Sequence, residues 1–96
     1  MPLGTKTWLY TKSIAELERD EYGVYELLDG SHNIIYIYHG KIRSCLLKHF
    51  EDGTHPIAGA RLFSVEYTWT REKSEQRYKK ELAKYRQEYG IHPKFN

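Results

Sequence analysis

Within residues 23–50 the hydrophobic pattern changes period once, and that change limits the fold more than any other feature of the chain. Gly23-Val24-Tyr25-Glu26-Leu27-Leu28 reads as a strand. Asp29-Gly30-Ser31-His32-Asn33 follows as a turn, because Gly and Asn accept positive φ and Asp caps its own backbone. Ile34-Ile35-Tyr36-Ile37-Tyr38 is β-branched and aromatic, apolar on both faces, and is therefore expected at the centre of a sheet. From Ile42 the spacing turns helical, with Ile42, Cys45, Leu46, His49 and Phe50 on one face. A strand, a turn, a strand and a helix in so short a run predict a small α+β unit.

The flanks fit around that unit. Trp8-Leu9-Tyr10 is expected to pack on the core, and Ser13-Ile14-Ala15-Glu16 has the form of a capping box, placing a short helix at 13–19 with Ser13 as N-cap. Gly53 is placed to stop the central helix, and residues 54–60, with Pro56 and Gly59, read as a loop. Residues 61–68 alternate Leu62, Ser64 and Glu66 against Phe63, Val65 and Tyr67, the pattern of a half-buried strand. A long helix is expected over 71–89, with Tyr78, Leu82, Tyr85 and Tyr89 as its buried stripe. Lys73, Arg77, Lys80 and Lys84 repeat that spacing on the opposite, solvated side. Gly90 ends the helix and Pro93 prevents its resumption. The expected architecture is one domain over 1–96: a central three-stranded antiparallel sheet flanked by helices, with residues 1–20 as an N-terminal extension.

Composition narrows the partners. A single cysteine excludes an internal disulfide framework and fits a reducing compartment. No stretch approaches the roughly 20 apolar residues of a membrane span, and Met1-Pro2-Leu3-Gly4 lacks the apolar core of a signal peptide, so the expected location is cytoplasmic. Residues 1–70 carry seven Lys/Arg against nine Asp/Glu, whereas 71–96 carry eight against four. A nucleic-acid surface would therefore include the C-terminal quarter, and Lys73, Arg77, Lys80 and Lys84 are its candidates. The five histidines and one cysteine show no zinc-ligand spacing.

Taken together, Gly23-Val24-Tyr25, Tyr36-Ile37-Tyr38 ten residues on, Leu46 with His49, and the closing Pro93-Lys94-Phe95-Asn96 resemble the GIY-YIG nuclease family over residues 22–96, as in the nuclease domain of bacterial nucleotide-excision repair. The resemblance implies a metal-dependent DNA endonuclease, or a derivative of one, using one magnesium or manganese ion. It implies catalytic roles for Tyr25, Tyr36, His49 and Glu81, with Glu81 as the metal ligand and Glu75 as the fallback. Gly23 and Asn96 would be structural motif positions. A hard carboxylate oxygen would leave metal positions for water and phosphate, and a cation would stand where negative charge develops.

Two family positions are altered. The helix arginine falls on Cys45, whose thiol has neither charge nor fork, and the second-motif glycine falls on Tyr38. Lys41 and Lys48, a turn before and after Cys45, are the candidate substitutes for the missing cation. These departures argue for altered or lost activity. They support the alternative of a catalytically silent domain that binds nucleic acid, DNA by preference, or a protein partner.

Overall fold

In the computed structural model, which describes residues 6–96, the chain runs β1 (Trp8–Leu9), α1 (Lys12–Ala15), β2 (Tyr22–Leu28), β3 (Ile34–Lys41), α2 (Ile42–Lys48), β4 (Leu62–Tyr67) and α3 (Arg71–Tyr89). The sheet has four antiparallel strands in the order β1-β4-β2-β3, not three. The addition is β1, which pairs Trp8 with Phe63 and Leu9 with Leu62 at the β4 edge. Met1-Pro2-Leu3-Gly4, taken above as no signal peptide, lies outside the described residues.

β2 is the central strand, with every residue from Gly23 to Leu28 buried. β3, expected there, is an edge strand instead. It is apolar on both sides because helices cover both faces of the sheet. Its outer edge is also engaged: Phe95 N–H donates to Ile35 O at 2.9 Å. The Asn96 amide holds the Ile37 backbone at both ends, accepting from its N–H at 2.9 Å and donating to its carbonyl at 2.8 Å. Asn96 thus does in side-chain form what a neighbouring strand would do.

The register sorts the strand residues by face. Tyr25, Leu27, Tyr36, Tyr38, Phe63 and Val65 lie on one side, with Ile42, Cys45 and Leu46 of α2 sharing their core. Val24, Glu26, Ile37, His39, Ser64 and Glu66 lie on the other, beneath α3. Gly23 is fixed by close approach, since a Cβ there would stand 2.5 Å from Glu66 O and 3.2 Å from Ile42 Cδ1.

Several local expectations shift. The N-cap of α1 is Thr11, not Ser13: Thr11 is extended and its hydroxyl accepts from Ile14 N–H, while Glu16 closes this one-turn helix. Of Trp8-Leu9-Tyr10, only Tyr10 enters the core, donating its hydroxyl to Leu46 O at 2.5 Å and stacking on Phe50 at 4.2 Å. α2 ends at Lys48 with His49 as its cap, so Gly53 belongs to the next turn, where its N–H bonds Phe50 O.

α3 has the expected span, an N-cap at Thr70 and Gly90 in the left-handed conformation at its end. Its buried face differs. Ser74 and Glu81 are its buried residues, Tyr78, Leu82 and Tyr85 are half-buried, and Tyr89 is exposed. Arg77 also turns inward. The sheet face below offers Glu26, Ser64, Glu66 and His39, so a polar helix face matches it better than a tyrosine stripe would.

Candidate functional site

The Tyr25 hydroxyl lies 2.7 Å from His49 Nε2, and His49 Nδ1 lies 2.8 Å from the His55 carbonyl. A carbonyl only accepts, so Nδ1 carries the proton, and Nε2 accepts from the Tyr25 hydroxyl. β2 and the end of α2 bring the two side chains together, and the loop after α2 supplies the carbonyl. Burial drives the Tyr25 phenol well above its ordinary pKa and the His49 imidazole below its own. Both are therefore neutral near pH 7, and Tyr25 is unsuited to act as a phenolate base.

Tyr36 adjoins this pair, its ring 5.0 Å from His49 and 5.7 Å from His55. Its pKa is pushed up to about 12, chiefly by burial. Tyr38 lies beside Tyr36 at 6.0 Å, as strand periodicity requires. It remains 41% exposed at the edge of β3, where its ring meets Tyr78 at 5.2 Å and His39 at 4.7 Å. Arg71, Lys79 and Glu75 act electrostatically on His39, so two cations flank this aromatic edge.

The carboxylates separate. Glu81 is buried under α3, accepting from Arg77 Nη1 at 2.5 Å, while Arg77 Nε donates to Glu66 at 2.8 Å. Glu81 lies near Glu26 and Ile34, on the sheet face opposite Tyr25 and Tyr36. The structure thus brings Tyr25, Tyr36 and His49 together and leaves Glu81 apart. Glu75 is half-buried, beside His39, in a 3.8 Å ion pair with Arg71. Arg77 leaves the expected basic stripe, while Lys73, Lys80 and Lys84 stay exposed.

Cys45 is buried beside the Tyr25 hydroxyl, and burial pushes its thiol pKa up, so it stays protonated. Of the candidate cations, Lys48 acts on both Cys45 and His49, whereas Lys41 sits 5.8 Å over the Tyr22 ring. An ion such as magnesium or manganese does not fit at Glu81, where it would stand against the Arg77 guanidinium. Among the described residues, no three His, Cys, Asp or Glu side chains form a metal-holding group.

The reading from residues alone missed His39, His55 and Gly40. Gly40, at φ 141° near the end of β3, stands so close to α2 that a Cβ would come 2.7 Å from Cys45 Sγ. A glycine between the apolar run of 34–38 and the helical spacing from Ile42 was the available signal.

Fold and site together describe a three-layer α+β domain with a neutral Tyr–His pair on one sheet face and an aromatic, cationic edge beside it. The chain belongs to a family described as a domain of unknown function, DUF7508, whose model matches residues 1–88. No curated protein and no solved structure matches it. Among the described residues, no helix is long and apolar enough to cross a membrane.

Proposed function

We propose that this domain is a GIY-YIG-like derivative that binds nucleic acid, DNA by preference, without cleaving it. The observation that carries the reading is the separation of Glu81 from Tyr25, Tyr36 and His49 by the sheet, with Arg77 holding the carboxylate. Loss of the cleavage centre does not remove the binding surface. Tyr38 offers an exposed ring for a base to stack on, worth about 1–3 kcal/mol per base. Arg71 and Lys79 near that ring, with Lys73, Lys80 and Lys84 on the other flank of α3, supply phosphate contacts.

A second reading, a metal-dependent phosphodiesterase, draws on Glu75 beside His39 at the same edge. The two are tested together by mobility shift in EDTA and by plasmid nicking with magnesium or manganese. Binding in EDTA without nicking supports the first reading. Nicking that is lost in Glu75→Gln supports the second and overturns the first.

A further inference from the structure

On the α2 side of the sheet, a cavity of about 410 Å³ opens between the stacked Tyr10 and Phe50 and the loop over 56–61. That volume falls within the roughly 300–1,000 Å³ typical of small-molecule sites. Phe50, Pro56 and Ile57 give it an apolar wall, and Arg61 and Glu51 its charged groups. The loop is anchored at both ends: Ile57 N–H donates to His49 O at 3.0 Å, and Arg61 N–H to Leu28 O at 2.8 Å.

Between those anchors residues 57–60 form a hydrogen-bonded turn, and the N–H groups of Ala58 and Gly59 meet no acceptor among the described residues. Gly59 has a φ of 89°, and nothing lies within 4 Å of where its Cβ would be. Arg61 forms no ion pair among the described residues. Two successive unbonded amides and an unpaired guanidinium lining one cavity attract an anion, and the apolar wall beside them suits a ligand with a flat hydrophobic body.

We propose that this cavity binds a small aromatic anion, its ring against Phe50 and Ile57 and its carboxylate or phosphate on Arg61 and the amides of Ala58 and Gly59. The site stands independently of the nucleic-acid reading. Glu51 opposes an anion in the same cavity, which gives the proposal a second handle.

The experiment is an amide-resolved NMR titration of the whole chain with 1-naphthyl phosphate, 1-naphthoate, neutral 1-naphthol and inorganic phosphate. One or both naphthyl anions should give saturating shifts confined to residues 49–51 and 56–61, and the stronger of the two identifies the anionic group. Naphthol should leave the amides of Ala58 and Gly59 in place, and inorganic phosphate should bind more weakly than the naphthyl anions. Arg61→Gln should weaken the naphthyl anion about tenfold, and Glu51→Gln should tighten it a few-fold. Both side chains are on the surface, so folding is preserved in each variant. Shifts that are absent up to about 5 mM, or spread over other surfaces, would overturn the proposal. So would affinities unchanged in both variants.

Discussion

The Tyr25 hydroxyl donates to Nε2 of His49 across 2.7 Å, and neither side chain is more than 3% exposed. The bond joins the central strand to the end of α2, where packing alone would leave two polar groups buried. Tyr25→Phe keeps the ring but leaves Nε2 without its donor. The expected cost is about 1–3 kcal/mol, read as a lower urea midpoint with an unchanged m-value. An unchanged midpoint would mean the bond contributes nothing to folding.

Stability should fall on the acidic side of neutrality. Burial holds the imidazoles of His49 and His39 below their ordinary pKa of 6.5 in the folded state. As pH drops through 6.5, the unfolded chain takes up protons that the folded chain resists. Their contribution is therefore complete above 6.5 and is lost as pH falls toward the depressed folded values. His49→Gln retains a donor and an acceptor but cannot titrate. It should flatten the loss below pH 6.5, which thermal melts on the acidic side of neutrality would detect as a shallower slope.

Arg77 sits between Glu66 and Glu81, and only the second of these carboxylates is buried. Arg77→Ala leaves the Glu81 charge under α3 without its partner. The expected destabilisation is about 3 kcal/mol, the lower end for a broken buried pair because Arg77 itself is partly solvated. In a Glu81→Gln background no charge is stranded, so the same Arg77→Ala change should cost clearly less. An equal cost in both backgrounds would locate the loss elsewhere.

Gly40 carries both a backbone and a steric demand. Its φ of 141° suits glycine alone, and a Cβ would meet Cys45 Sγ at 2.7 Å. Gly40→Ala should cost about 1–3 kcal/mol. Adding Cys45→Ala should recover the steric part and leave the backbone part, giving a measurable coupling in the double-mutant cycle.

The elements that follow from local chemistry were legible in the residues: β2, β4, the period change into α2, and α3 with its Gly90 stop. Tyr25, Tyr36 and His49, which only the family resemblance had grouped, lie together on one sheet face. What depends on partners distant in sequence was not legible. β3 looked central because burial by helices on both faces produces the same apolar run as burial between strands. Tyr78 and Tyr89 looked equivalent on the helix, yet one meets Tyr38 and the other faces solvent. Arg77 looked like a surface cation, and only the polar underside of the sheet, Glu66 above all, draws it inward. Placement of Glu81 on the wrong face for Tyr25 follows from that same polar match.

The central claim is metal-independent nucleic-acid binding at the Tyr38 edge. It is tested most directly by fluorescence anisotropy of a labelled single-stranded DNA oligonucleotide titrated with wild type and Tyr38→Ala in EDTA. Wild type should bind at low salt and weaken as salt rises, and Tyr38→Ala should weaken binding about tenfold, the loss of one stacked base. No binding in EDTA, or wild-type affinity in Tyr38→Ala, would contradict it.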